Sequence, residues 1–343
     1  MRWLPVLALV VAGCGSAEPA RVAHTKEQLG AVLFDDPRLS EPKGQACSDC
    51  HVARAAFADP EDDRTSAGVL RDRFGVRNTP SAMYLRFAPP LHEKGGVMIG
   101  GLFWDGRAPN LAAQAAFPLL NPLEMNNPDK ATVVAKVKKH YAREFKVLFG
   151  ADIFNDTNRA FDAIGEAIGA FEGTEAFAPF SARYDRYLAG KATLDEPEQR
   201  GLVIFESAER GNCIRCHPSR PASDGTPPLF TNFAYADLKI PVYRDNPFYS
   251  LPVSLNPEGE SYIDRGLAAT TGNPAHEGMF RVPSLRNVAR TTPYGHDGYF
   301  RRLDEMIEHI DQLDDTIHLS KQDIADLVSF LATLTDADVE GAH

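Results

Sequence analysis

Two five-residue segments, Cys47-Ser48-Asp49-Cys50-His51 and Cys213-Ile214-Arg215-Cys216-His217, repeat one Cys-x-x-Cys-His pattern in a chain of 343 residues with five cysteines. Whatever fold the chain adopts must serve both. A zinc ion could take the four thiolates of Cys47, Cys50, Cys213 and Cys216. Such a site would join two distant segments and leave the histidine after each pair without a purpose. A redox dithiol needs one pair at the junction of a strand and a helix, and no such pattern surrounds either pentad. Covalent haem uses every residue: two thiols add to the vinyl groups, and the adjacent imidazole becomes the proximal iron ligand. The pentads predict two c-type haems, on His51 and on His217.

The fifth cysteine needs its own account. The chain opens MRWLPVLALVVAGCG, with Arg2 ahead of an uncharged run from Leu4 to Val11. That run is far below the ~20 residues of a membrane span, so residues 1–13 read as an export signal. Its end, Val11-Ala12-Gly13-Cys14, resembles a bacterial lipobox, which implies cleavage before Cys14 and lipid on its sulfur. An ordinary signal peptide with an inert Cys14 is the competing reading. Residues 14–24 would form a polar tether, and lipid on Cys14 would hold the protein on the periplasmic side of a bacterial membrane. Export places the remaining cysteines outside the reducing cytosol. A formal net charge of −11 argues against nucleic acid as a partner, because counterion displacement needs a basic surface.

The fold class follows from an internal repeat. EQLGAVLF (27–34) precedes the first pentad and EQRGLVIF (198–205) precedes the second, both reading Glu-Gln-x-Gly-x-Val-x-Phe. Each predicts a short opening helix whose glycine lets it pack closely on another backbone. Near the C-terminus, Ile324, Leu327, Val328, Leu331 and Leu334 share one helical face, with Ser320 as N-cap and Asp323 three residues on. Strand patterns are scarce, and residues 220–275, rich in Pro, Gly and Asn, read as long loops. The expected fold is mainly α, with two cytochrome c-like haem domains, 25–190 and 195–338, and a haem between helices in each. The polar segment around 188–198 is the expected boundary.

Between the pentads lies GLFWDGRAPNLAAQAAFPLLNPLEMNN (101–127), and there the chain resembles the bacterial di-haem cytochrome c peroxidases and the MauG-type enzymes. RNTPS (77–81), VPSLRNVARTTPYGHDGYF (282–300) and the terminal helix carry the same resemblance. It implies that the His51 haem is peroxide-reactive and that the His217 haem receives electrons. It implies that Trp104 lies between the haems. Glu124 would be the distal carboxylate, with Gln114 and Pro118 beside it. It also implies a calcium ion held by Asn78, Thr291 and Pro293, for which hard oxygen donors are suited. Taken alone, Glu124 would be a solvated loop residue and Trp104 core packing. Independent of family, a carboxyl desolvated above an iron site has its pKa pushed towards neutrality, which suits it to move a proton on peroxide.

The chain departs from the resemblance twice. The segment 57–76 carries no histidine where many of these peroxidases hold a removable ligand, so the first iron is expected to be open. At the second haem, the sixth ligand should fall at Ile310, which cannot bind iron; Met306 lies one turn earlier on the stripe Leu303, Met306, Ile307, Ile310 and Leu313, and His309 lies at its flank. His309, Met306 and no protein ligand stay open here. The leading expectation is a peroxidase that reduces hydrogen peroxide with electrons from a small redox protein, a cytochrome c or a cupredoxin. A MauG-type oxidase that modifies a partner protein and a non-enzymatic electron carrier are the rivals. A homodimer is left open.

Overall fold

The structure is a computed structural model that describes residues 23–59, 64–313 and 318–340; Cys14 and the export segment fall outside them. In the first half, α1 (Lys26–Phe34) is followed by the one-turn α2 (Cys47–Cys50), α3 (Leu111–Leu120), α4 (Lys130–Phe149) and α5 (Thr157–Glu172). The second half holds α6 (Arg183–Leu188), α7 (Glu196–Glu206), α8 (Leu267–Thr271), α9 (Leu303–Asp311), α10 (Lys321–Ala332) and α11 (Ala337–Glu340). Helix starts are set by side chains that satisfy orphan amides. Thr25, Asn110, Asp129 and Asp156 accept from backbone N–H groups at the starts of α1, α3, α4 and α5. Ser320 and Asp323 form the expected capping box at α10. Four short strands pair as β1 (His92–Lys94) with β2 (Val97–Ile99), and β3 (Tyr235–Ala236) with β4 (Phe280–Arg281), both antiparallel. No helix among the described residues is long and apolar enough to cross a membrane.

Both repeat segments are helical, and each glycine sits where one backbone meets another. A Cβ on Gly30 of α1 would lie 1.9 Å from the Ala167 carbonyl oxygen of α5. A Cβ on Gly201 of α7 would lie 2.0 Å from the Asp326 carbonyl oxygen of α10. The likeness continues outward. Phe34 packs edge-on to Phe171 and Phe57, as Phe205 packs against Phe330 and Phe230. Two apolar cores result. One is centred on Leu29, Leu33, Phe34, Ile164 and Ile168, the other on Ile204, Phe205, Leu327, Phe330 and Leu331. Ile324 and Leu334 are buried with the expected stripe, and Leu334 lies just beyond the end of α10. The segment between Leu188 and Glu196, near the expected boundary, carries no helix.

Buried polar ties join the halves. Asp336, fully buried, accepts from the Tyr84 hydroxyl at 2.7 Å, the Ser181 amide at 2.9 Å and Asn287 Nδ2 at 2.8 Å. Arg77 forks onto Asp264 at 2.6 and 2.7 Å and reaches Asp105 at 2.7 Å. Most of 220–275 is irregular, as expected, and the Arg77–Asp264 pair ties its later part to the first half.

Gly30→Ala and Gly201→Ala should each destabilise the protein by about 1–3 kcal/mol, because the clashing atoms are backbone and cannot swing away. Urea midpoints of the two variants check this.

Candidate cofactor sites

Each pentad is a tight turn that sets its histidine just behind its thiols. Cys47–Cys50 is the one-turn α2, and the His51 amide donates to the Cys47 carbonyl at 2.9 Å. Cys213–Arg215 is a 3₁₀ turn, and the His217 amide donates to the Cys213 carbonyl at 2.8 Å. The imidazoles are then held in the same way. His51 Nδ1 donates to the Phe57 carbonyl at 2.8 Å, and His217 Nδ1 to the Phe230 carbonyl at 2.7 Å. Both phenylalanines adopt left-handed backbone, φ 51° and 52°, an unusual state for a bulky residue that aims each carbonyl at its ring. The bond fixes the tautomer and leaves Nε2 with a bare lone pair. Burial holds both rings neutral, with His217 pushed down to about 4. Burial also pushes Cys50 and Cys213 up to about 12, and Cys47 and Cys216 upward as well. No disulfide joins the described cysteines, and the described residues form no cluster of three or more acidic, His or Cys groups for a metal ion.

A cavity of about 580 Å³, within the usual ~300–1,000 Å³ of cofactor sites, is lined by Cys213, Cys216 and His217. The same cavity is lined by the stripe Leu303, Met306, Ile307, Ile310 and Leu313. A neutral imidazole, two thiols and apolar walls fit a covalent haem at this place. Of the three candidates for a sixth ligand, Met306 lines the cavity. His309 does not: its Nε2 donates to the Leu238 carbonyl at 2.8 Å, and its ring packs against Phe300. Met83 also lines the space, but its sulfur accepts from Asn287 Nδ2 at 3.3 Å. Trp104 stands on the same wall, clamped by Nε1 donating to the Asn78 carbonyl at 3.0 Å. Asn78, Thr291 and Pro293 also line the cavity. Asn78 Nδ2 donates to the Arg64 carbonyl at 3.3 Å, so Oδ1 is the atom left to bind a cation.

The ionisable group nearest in influence to the first pentad's thiols, after Glu172 and Asp59, is Glu124. Pro118 inside α3 lacks the amide that would continue the ladder, and the helix ends at Leu120. Asn121 then organises the turn. Its carbonyl accepts from the amides of Glu124 at 3.0 Å and Asn126 at 2.9 Å, and its Nδ2 donates to Glu124 Oε1 at 2.8 Å. The Glu124 residue is half-buried. Burial raises its pKa above the usual range, against smaller downward pulls from Asn121 and Arg107. Its charge in turn raises the thiols of Cys47 and Cys50, which puts it beside the His51 pentad. Gln114 is half-buried on α3, and its side chain makes no hydrogen bond to the described residues.

Several residues at these sites were invisible in the sequence. Nothing in the spacing distinguishes Phe57 and Phe230 from other phenylalanines, or Asn121 as the partner of Glu124. Arg107, bound to both carboxylate oxygens of Asp105 at 2.9 Å and laid over the Phe103 ring at 3.7 Å, was also missed. So was Glu172, 6% exposed at the end of α5, with Oε2 unpartnered and its charge acting on Cys47.

Residues 24–193 match the family model described as di-haem cytochrome c peroxidase. Methylamine utilization protein MauG of Paracoccus denitrificans is 39% identical over 310 residues, covering 88% of this chain and 78% of that protein. Cytochrome c551 peroxidase of Nitrosomonas europaea is 30% identical over 312 residues, covering 90% and 79%. Among solved structures, the diheme peroxidase BthA of Burkholderia thailandensis superposes with a TM-score of 0.82 at 31% identity, covering 94% of this chain and 88% of that one.

Glu172 is pushed up to about 8 by burial alone. A carboxyl whose folded pKa is raised supports folding below its unfolded value near 4.5, and that support is lost as pH rises towards 8. Glu172→Gln should therefore leave stability near pH 4.5 almost unchanged and gain on the wild type above it, by up to about 1.4 kcal/mol per pH unit. Urea unfolding at pH 5 and pH 8 checks the divergence.

Proposed function

Because the chain belongs to the di-haem cytochrome c peroxidase family, we propose that it reduces hydrogen peroxide at the His51 site. One peroxide would take up two electrons and two protons and give two waters. The observation that carries this reading is a carboxyl desolvated by burial, Glu124, set beside the His51 pentad. Cys47, Cys50 and His51 would hold one haem within residues 25–190, and Cys213, Cys216 and His217 the other within 195–338. When bound, these groups supply the iron that takes a peroxide oxygen and stores electrons.

The remaining work belongs to side chains. Asn121 pins Glu124 Oε1 at 2.8 Å, which leaves Oε2 to accept a proton from one peroxide oxygen and return it to the other. A raised pKa suits that task, since the carboxyl must both take and release a proton near neutral pH. Gln114, one helix turn before Pro118, would orient the substrate. Trp104 would carry electrons between the two sites, held rigid by its bond to Asn78. Met306 would be the sixth ligand at the His217 site, because it lines that cavity while His309 is turned to Leu238. Calcium would be held by Asn78, Thr291 and Pro293. Electrons would come from a small cytochrome c or cupredoxin, and a formal charge of −11 suits a basic partner. Lipid on Cys14 would keep the protein on the periplasmic side of a bacterial membrane.

A second reading has specific support. A MauG-type oxidase, which turns peroxide-derived oxidising power on a partner protein, is favoured by the 39% identity to the Paracoccus denitrificans protein. It is also favoured by a segment 57–76 without histidine. Turnover of peroxide with reduced cytochrome c or cupredoxin separates the two. Glu124→Gln should cost about 10²–10⁴-fold in peroxide consumption under either reading. A loss of less than threefold would leave only an electron carrier.

A further inference from the structure

We propose that Arg281 anchors a propionate carboxylate of the haem at His217 and ties that carboxylate by hydrogen bonds to the backbone of Trp104. The proposal rests on the haem reading above. Arg281, at the end of β4, is 5% exposed and lines the cavity that holds Cys213, Cys216 and His217. No carboxylate among the described residues pairs with it. Among the described residues its guanidinium makes one hydrogen bond, Nε donating to the Phe103 carbonyl at 3.1 Å.

The half-buried Arg77 and the buried Arg286 behave differently. Arg77 has Asp105 and Asp264, and Arg286 forks onto Asp185 at 2.7 and 2.9 Å. The two acids on the cavity wall are engaged elsewhere. Asp237 pairs with Lys239, and Asp311 accepts from the Leu319 amide. Arg215, also on the wall, is exposed and can be neutralised by water and counterions. Burial accordingly pushes the Arg281 pKa down, with only the Tyr235 hydroxyl opposing it. A buried guanidinium with no acid partner is costly, and guanidinium binds carboxylate in a fork. The group expected to fill the cavity brings its own carboxylates, so the missing anion and the unpaired cation account for each other.

The backbone adds a second consequence. The Arg281 amide donates to the Trp104 carbonyl at 2.8 Å, so the residue grips 103–104 through both its amide and its Nε. Phe103 holds its carbonyl in place through left-handed backbone, φ 64°. An anchored carboxylate would thereby be two hydrogen bonds from the tryptophan proposed to carry electrons.

The test is redox potentiometry of the holoprotein, resolving the His217 haem from the His51 haem, for Arg281→Gln and Arg281→Lys. A cation beside a haem favours the ferrous state. Arg281→Gln should lower the ferrous-over-ferric preference at the His217 haem by at least tenfold, a fall of about 59 mV for one electron. The His51 haem should move much less, and Arg281→Lys should keep most of the wild-type potential. A shift under threefold in Arg281→Gln, or an equal shift at both haems, overturns the proposal. If the Gln variant does not fold, a holoprotein structure decides: Arg281 nitrogens bound only to backbone and water overturn it. A wild-type protein without two covalent haems per chain defeats the functional reading and this one together. Two haems with an insensitive potential defeat only this one.

Discussion

The bond from each pentad histidine to a main-chain carbonyl six or thirteen residues onward is the constraint on which both sites depend. An imidazole has two nitrogens, and only the one with a free lone pair can bind a metal. The carbonyls of Phe57 and Phe230 settle the matter by taking the proton on Nδ1. They can do so because each phenylalanine is forced into left-handed backbone. The strain is offset by packing: Phe57 lies stacked on Phe177 at 3.9 Å, and Phe230 sits fully buried between Phe205 and Tyr184. The aromatic clusters are therefore more than filler. They hold two ring nitrogens ready for iron.

Around this shared scaffold the two sites diverge in their surroundings. Near the His51 pentad stands a carboxyl, Glu124, whose neutral form is favoured by burial and whose orientation is set by Asn121. At the His217 cavity stands an apolar stripe broken by one thioether, Met306. A polar group that can move a proton suits chemistry on a bound oxygen, whereas apolar walls suit electron storage without side reactions. One fold repeated twice thus offers two environments, and the difference lies on the segments that are not part of the repeat, 101–127 and 303–313. Trp104 and Arg281 lie on the wall that these segments share.

Much of this was legible because periodicity and motif spacing are local properties. The glycine repeat announced helix pairs, and Gly30 and Gly201 do meet opposing backbones. The α10 stripe and its cap were read correctly because one side of the helix packs and the other is wet. The stripe through Met306 was also correct, and every member of it faces the cavity. What could not be read were features that depend on distant segments. That His309 is turned to Leu238 depends on a loop residue whose carbonyl reaches the histidine only in the folded chain. The isolation of Arg281 is a property of what is missing around it, which no local pattern records. Phe57 and Phe230 look ordinary in sequence because backbone strain leaves no compositional mark.

The account stands or falls on an iron at His51 with an open position facing Glu124. Electron paramagnetic resonance of the fully oxidised protein measures this directly, because it reports the spin state of each iron separately. The account predicts one high-spin signal, from the open or water-bound site, beside one low-spin signal from the His217 site. Two low-spin signals, with the His51 iron bound by two protein side chains, would contradict it.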